Sequence, residues 1–317
     1  MSLPRFAALD IGTNTVRLIL GERTGPENFR PLKVMREITR LGGHYTPSQG
    51  LQESAIQRTI QGIERMVEAA RKAGAKEIFA AATGVVRRAI NRQSFLEKVH
   101  RQTGLTVRLL PGQKEGQLTW KGICWALKGE KKNCFAADIG GGSTECIWAV
   151  HGKVKKIKSF PWGAVTLCEK FLAHDPPTPS ELRGLEEHIQ AGLRRLRIQW
   201  EKEGLAVHDL HPDLIGTAGT ITTLAAIHLG LRRYDPEKIH RHRISKAEVQ
   251  RLYRKLSFLP LAERRKIPGL EKGREDLIIS GTAQLVEILE IFEFRGLRVV
   301  DSGLLEGILL EGLRRTP

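Results

Sequence analysis

Phe6-Ala7-Ala8-Leu9-Asp10-Ile11-Gly12-Thr13-Asn14-Thr15 returns near the middle of the chain as Phe135-Ala136-Ala137-Asp138-Ile139-Gly140-Gly141-Gly142-Ser143-Thr144. Each copy is an apolar run, then Asp-Ile-Gly, a small polar turn and a second apolar run, Val16 to Leu20 in one and Cys146 to Val150 in the other. Such a pattern predicts a β-hairpin with a tight, glycine-containing turn. The copies lie too far apart for a solenoid period. Two related domains, each opening with the same hairpin, are the natural reading.

Outward from the hairpins the pattern alternates strand and helix. Residues 52–73 carry apolar residues at helical spacing (Ile56, Ile60, Ile63, Val67), and 77–82 reads as a buried strand. Helices are predicted at about 91–103 and 114–127, flanking a strand at 107–110. In the second half, 178–203 predicts a long amphipathic helix, 213–216 a strand, 219–229 a helix, 274–294 a helix, 297–301 a strand and 302–314 a helix. Alternating strands and helices indicate α/β domains with largely buried sheets.

The chain has 317 residues, 41% hydrophobic and 27% charged, the balance of a globular protein with room for two cores. No apolar run is long enough to span a bilayer, and the N-terminus lacks the apolar stretch of a signal peptide, so a cytoplasmic location is expected. Cys124, Cys134, Cys146 and Cys168 form no C-x-x-C pair and read as small hydrophobes rather than zinc ligands. His240 and His242 sit among Arg241 and Arg243, a poor setting for a metal cation. The net charge is +16, and residues 231–275, with 14 Lys/Arg against 6 Asp/Glu, hold half of it. Lys153, Lys155, Lys156 and Lys158 form a second cluster. These are solvated faces or a surface for a polyanion, and charge alone does not choose between nucleic acid, membrane surface and polyphosphate.

Glycine-rich turns after strands let backbone N–H groups converge on an anion. No G-x-x-x-x-G-K-[ST] occurs, and Glu145 stands where the third glycine of a dinucleotide fingerprint must be, so P-loop and Rossmann binding are excluded. A third loop, Gly216-Thr217-Ala218-Gly219-Thr220, ends a strand and opens a helix. Three such loops, two of them duplicates, point to phosphate.

The chain resembles the actin, sugar-kinase and heat-shock-chaperone superfamily, and within it the exopolyphosphatase and guanosine pentaphosphate phosphohydrolase (Ppx/GppA) family. The resemblance runs through Asp10 to Leu18, the Thr83…Arg87…Asn91 segment, and Asp138 to Glu145. It continues through Pro161 to Val165, Gly216 to Leu224, Arg274-Glu275-Asp276 and Asp301 to Gly307. It implies two actin-like (ribonuclease H-like) domains with a hinge cleft, expected here at 1–121 plus 302–317 and at 122–301.

The resemblance also implies roles. Glu115 matches the catalytic glutamate, a general base for the attacking water, while Lys114 replaces a neighbouring glutamate and is expected to temper that basicity or hold substrate. Arg87 matches an arginine that neutralises phosphate oxygens, and Arg88 reads as a solvated charge. Gly12, Thr13, Asn14, Gly140, Gly141, Gly142, Ser143, Gly219 and Thr220 are expected to bind phosphate. Asp138 and Glu145, with Asp10, are expected to hold Mg²⁺, Mn²⁺ being the alternative. The expected activity is release of terminal orthophosphate from polyphosphate or guanosine pentaphosphate. The alternatives are a non-enzymatic guanosine tetraphosphate or nucleotide sensor and an ATP-dependent kinase. No membrane or nucleic-acid partner is expected, and a homodimer is allowed. The basic stretch 231–275 is expected to form a track for long chains, with Arg264, Arg265 and Lys266 as the residues that test it.

Overall fold

The chain divides into two compact units, Met1–Gly129 with Ser302–Pro317 and Glu130–Asp301. The computed structural model describes residues 3–130 and 132–316; residues 1, 2, 131 and 317 lie outside the described residues. The first unit contains β1 (Arg5–Ile11), β2 (Thr15–Gly25), β3 (Asn28–Ile38), α1 (Glu53–Lys72), β4 (Ala75–Ala82), α2 (Gly84–Arg88), α3 (Arg92–Thr103), β5 (Val107–Leu109) and α4 (Gly112–Ala126). The expected break after residue 121 falls inside α4, whose last turn is covalently continuous with the rest of the helix, so the boundary comes at Gly129.

The second unit contains β6 (Cys134–Ile139), β7 (Thr144–Val150), β8 (Lys153–Phe160), α5 (Ala164–Phe171), α6 (Pro179–Lys202), α7 (Val207–Leu210), β9 (Asp213–Thr217) and α8 (Ala218–His228). It continues with α9 (Pro236–Ile239), β10 (Arg243–Ser245), α10 (Lys246–Phe258), α11 (Leu261–Arg264), α12 (Ile278–Ile291) and β11 (Gly296–Val299). The last helix, α13 (Leu304–Arg315), belongs to the first unit.

The sheets run β3-β2-β1-β4-β5 and β10-β11-β9-β6-β7-β8. Each repeat hairpin therefore occupies the middle of its sheet, which is why β1 and β6 are apolar on both faces. The duplication extends beyond the hairpins. Thr83 and Thr217 N-cap α2 and α8 with near-identical backbone angles, and the residue after each, Gly84 at φ 53° or Ala218 at φ 69°, is left-handed. The sequence reading missed the third strands, β3 and β8, because an edge strand carries polar residues on both faces and loses the apolar run that betrays a central one. Lys153, Lys155, Lys156 and Lys158 are the exposed side of β8, and Lys156 pairs with Glu203 at 2.6 Å. Lysine on an edge strand discourages edge-to-edge aggregation, which accounts for this cluster without a polyanion.

Both faces of the first sheet are covered. Leu9, Ile11, Val16 and Leu18 meet α1 residues such as Ile56, Ile60 and Ile63 on one face. On the other, Phe6, Ala8 and Ile19 meet Leu118 of α4 and Leu305 and Leu309 of α13. A Cβ on Gly307 would lie 2.0 Å from the carbonyl oxygen of Leu118, so α13 and α4 approach backbone to backbone and only glycine fits there. The core of the second unit centres on Phe135, Trp148, Trp200 and Phe292, with edge-on ring contacts of 5.7–5.8 Å among the first three.

The carboxyl of Glu287 in this unit lies above its ordinary range. Burial, aided by the like charges of Glu186 and Glu290, pushes Glu287 on α12 up to about 7, even though Gln190 donates a hydrogen bond to it; the cation Arg194 is the other charge facing it. Its folded pKa exceeds its unfolded one, so the stability it contributes is complete below about pH 4.5 and lost as pH rises through about 7. Glu287→Gln is expected to match the parent near pH 4.5 and exceed it by on the order of 1–3 kcal/mol at pH 8. Denaturant melts of both proteins across this range check it; parallel curves would overturn it.

Candidate functional site

Asp10 lies opposite Arg17 in the first hairpin. Its Oδ2 accepts from Arg17 Nε at 3.3 Å and Nη2 at 2.9 Å. The hairpin turn is fixed by the Gly12 N–H, which donates to the Thr15 carbonyl at 3.1 Å. That N–H is spent, so Gly12 shapes the turn and does not serve as the phosphate donor expected of it. The segment after β3 then holds the turn from behind: N–H groups of Thr39 and Arg40 donate to the Asn14 carbonyl, and that of Gly42 to the Thr13 carbonyl. Thr13 Oγ1 accepts from the Val85 N–H at 3.2 Å. Among the described residues Asp10 Oδ1, both amide atoms of Asn14 and the hydroxyls of Thr15 and Thr39 are buried without a hydrogen-bond partner. Buried polar atoms are normally satisfied, so their concentration at one turn marks a place for a polar ligand.

Glu115 sits in the first turn of α4, on the sheet face that also carries Asp10, and is only 5% exposed. Arg87, in the last turn of α2, donates from Nη1 to Glu115 Oε2 at 2.8 Å and to the Leu110 carbonyl at 2.6 Å. The arginine thus orients the glutamate, a role that the sequence reading did not assign to it. Lys114 points away, 2.9 Å from Glu311 on α13. Burial would raise the Glu311 pKa, but Lys114, Arg108 and Arg315 together bring it below the ordinary carboxylate range. Lys114 is therefore a partner for Glu311 and not the tempering neighbour expected of it. Arg88 is half-buried and hydrogen-bonded to Tyr45, with its pKa lowered by burial, so it is no solvated charge.

The second hairpin has the same turn, Gly140 N–H to the Ser143 carbonyl at 3.1 Å, so Gly140 too is a shaping residue. The return segment after β8 again holds the loop: Ala164 N–H donates to Gly140 O at 2.9 Å and Val165 N–H to Gly141 O at 2.8 Å. A Cβ on Gly163 would lie 2.5 Å from Gly140 O, so the approach requires glycine. These return segments, Leu41-Gly42-Gly43 and Trp162-Gly163, were missed as site elements; a glycine following each third strand was the available signal.

The two hairpins differ at one decisive place. Where Asp10 faces Arg17, Asp138 faces Glu145 in register. Both are buried, at 8% and 1% exposure, and Glu145 Oε1 accepts from Ser159 Oγ at 2.7 Å. Like charges directly opposite each other on a sheet repel, and two carboxylates cannot share such a site without a proton or a cation. Mg²⁺ uses one or two carboxylates and completes its shell with water and substrate phosphate. The donor set therefore fits Mg²⁺ or Mn²⁺, and among the described residues no group of three His, Cys, Asp or Glu forms a fuller metal shell. Asp10, tied to Arg17, is neutralised within its own unit.

In the third loop, Thr220 is buried and the guanidinium of Arg274 lies over Gly219, within 2.4–2.5 Å of where a Cβ would stand. Arg274 is paired with Glu271 at 2.6 Å. One residue named for the track at 231–275, Arg264, is not on the surface. Arg264 is 3% exposed, donating to the carbonyls of Leu259 and Glu275 and to Asp175 Oδ1 at 2.6–2.7 Å. Arg265 and Lys266 pair with Glu275 and Glu263. Arg264 is thus a structural cation, because a buried guanidinium with its donors on carbonyls has none to offer a polymer, whereas Arg265 and Lys266 are exposed surface charges in ion pairs. Arg264→Gln is expected to cost about 3 kcal/mol of stability, since it leaves buried acceptors unpaired, and to leave the salt dependence of substrate binding unchanged. Melting curves and binding at two salt concentrations check this; an unchanged melt would return Arg264 to the surface.

His242 accompanies His228 and Glu248 in a hydrogen-bonded chain with both links at 2.8 Å. Cys134 and Cys146 are buried, whereas Cys124 and Cys168 are half-buried. No helix among the described residues is long and apolar enough to cross a membrane.

The chain matches the model of the Ppx/GppA phosphatase family over residues 20–316. It is 32% identical over 320 residues to the bifunctional 3-dehydroquinate synthase/phosphatase of Fusobacterium nucleatum, covering 97% of this chain but 46% of that protein, so it spans about half the length of that relative. It is 29% identical to exopolyphosphatase 2 of Mycobacterium tuberculosis, over 98% of this chain and 99% of that one. The solved Ppx/GppA family member of Aquifex aeolicus superposes with a TM-score of 0.80 at 31% identity, covering 98% of this chain and 97% of that one. The chain belongs to the Ppx/GppA phosphatase family.

Proposed function

We propose that the chain is a phosphoanhydride hydrolase that releases terminal orthophosphate, with inorganic polyphosphate as first substrate and guanosine pentaphosphate as second. The observation that carries the reading is the contrast between the hairpins: one Asp faces an arginine and its duplicate faces a glutamate. One unit thus offers a cationic setting beside a phosphate turn, the other an acidic pair suited to a divalent cation. The name of the M. tuberculosis relative supports polyphosphate.

In this reading Glu115, oriented by Arg87, takes a proton from water as the water oxygen attacks the terminal phosphorus. The bond from phosphorus to the bridging oxygen breaks, and the shortened chain leaves with the electron pair. Asp138 and Glu145 would hold Mg²⁺, which offsets charge on the phosphoryl oxygens when bound. Each unit's hairpin turn offers donors suited to a phosphate: the N–H groups of Thr13 and Asn14 in the first, the Gly141 N–H and the Ser143 hydroxyl in the second. A nucleotide sensor without turnover would need none of Glu115, Asp138 and Glu145 together, and a kinase would have no use for a water-directed base. Phosphate release measured in parallel from long-chain polyphosphate, guanosine pentaphosphate and ATP with Mg²⁺ tests the reading. Release from the first two is expected; none from any of the three would overturn it.

A further inference from the structure

Helix α12 runs through the apolar core of the second unit, yet it carries two wholly buried polar side chains, each with a hydrogen bond that leaves the helix. Ser280 and Gln284 are both 0% exposed. Gln284 Oε1 accepts from the Thr144 hydroxyl at 2.6 Å, and Gln284 Nε2 donates to the Ser280 carbonyl one turn back at 3.3 Å. Ser280 Oγ donates to the Ala164 carbonyl at 2.7 Å, with the Leu277 carbonyl at the helix start 2.9 Å away. Thr282, equally buried, keeps its hydroxyl within the helix, on the Ile278 carbonyl.

The residues gripped in this way flank the second hairpin turn. Thr144 follows Ser143, whose carbonyl accepts from the Gly140 N–H. Ala164 donates its own N–H to the Gly140 carbonyl, and Leu277 packs on Ala164 and Val165 beside it. Residues at i, i+1 and i+4 lie within about 100° of one another around a helix. The one between Ser280 and Gln284 in that set is Gly281, where a Cβ would stand 2.6 Å from Cγ2 and Oγ1 of Thr220 in the third loop. One side of α12 therefore meets the hairpin turn, its return segment and the third loop. The first hairpin is held differently. Thr15 is the duplicate of Thr144, and among the described residues its buried hydroxyl has no hydrogen-bond partner.

A buried hydroxyl or amide destabilises a core unless it is hydrogen-bonded, and an apolar side chain of the same size would fill the space without that cost. What the polar pair adds is direction, because a hydrogen bond fixes distance and angle where apolar contact fixes neither. We propose that Gln284 and Ser280 are positioning residues that hold the Gly140–Ser143 turn in the shape that receives phosphate. Gln284 acts through Thr144 and Ser280 through Ala164, and neither touches the phosphate. This rests on the phosphate-releasing reading above and names the residues that fix its second turn. A turn held at both ends presents its donors already placed, so that none of the binding energy is spent on ordering them.

The test compares Gln284→Met, which keeps the length of the side chain and removes its amide, with Thr282→Val, which removes a buried hydroxyl from the same helix away from the turn. Gln284→Met is expected to lower kcat/KM on polyphosphate about 10- to 100-fold, the scale of a small misplacement of reacting groups. Hydrogen exchange at the Gly141, Gly142 and Ser143 amides should quicken about 10-fold or more as the turn loosens. Thr282→Val should leave kcat/KM within about twofold and exchange at the turn unchanged. Ser280→Ala should act in the same direction as Gln284→Met. Thr144→Val removes the donor at the other end of the Gln284 bond and should reproduce its effect, which covers a Gln284 variant that does not fold. If the parent releases phosphate and Gln284→Met leaves kcat/KM unchanged, the positioning role is wrong while the hydrolase reading stands. If the parent releases none, that reading falls and exchange decides the role: quickening in Gln284→Met but not in Thr282→Val supports it, and no quickening overturns it. Equal losses in the two variants would trace the effect to helix stability and overturn it as well.

Discussion

Glu115→Gln is expected to lower turnover of polyphosphate by about 10²–10⁴-fold, the range for loss of a general base, while substrate affinity stays within a few-fold. The separation of the two effects follows from the local structure. Glutamine keeps the length of the side chain and an oxygen that still accepts from Arg87 Nη1, now at 2.8 Å from Glu115 Oε2. Arg87 also keeps its bond to the Leu110 carbonyl, so the α2–α4 junction holds its geometry. What disappears is the capacity to take a proton. Because Glu115 is buried, a substitution that removed the acceptor altogether would strand the guanidinium and confuse chemistry with folding. Steady-state kinetics and equilibrium binding on the same variant, with melting curves as a control, check the expectation. Near-normal turnover would place the base elsewhere.

Asp138→Asn and Glu145→Gln are expected to raise the Mg²⁺ concentration for half-maximal activity by 10-fold or more, each removing a formal charge from the proposed cation site. The same changes carry a second signature of opposite sign. The parent pair, facing each other in register on β6 and β7, repels in the absence of metal. Either variant should therefore be more stable than the parent in chelator, by about 0.5–1 kcal/mol, and should gain less from added Mg²⁺. Ser159 keeps its hydrogen bond in Glu145→Gln, so local packing is retained. Metal titrations of activity and melting curves with and without chelator measure both. Unchanged titrations in both variants would reduce the pair to a structural feature.

The sequence by itself determined the framework. A repeated Asp-Ile-Gly turn between apolar runs is a local instruction, since the turn needs glycine and the flanking strands, buried on both faces, need unbroken hydrophobicity. Hence β1, β2, β6 and β7 were legible, as was α6, whose Thr178 and Glu181 form a capping box. The edge strands β3 and β8 were not, because each buries too few residues to leave an unbroken apolar signal. Glu115, Arg87, Asp138 and Glu145 could be named from residue type and order along the chain. Their relations could not. Which residue faces Asp10 and which faces Asp138 depends on strand register, and register turned one duplicate into a salt bridge and the other into an acidic pair. Arg264 reads in sequence as part of a basic run, yet it is a buried donor to carbonyls from two segments, brought together only when α11 closes on the turn before α12. Lys114 stands beside Glu115 in the chain but one residue around the helix, which turns its ammonium toward Glu311. Type and spacing fix what a residue can do locally; only packing decides which charge it meets, because the partners come from strands and helices far apart in sequence.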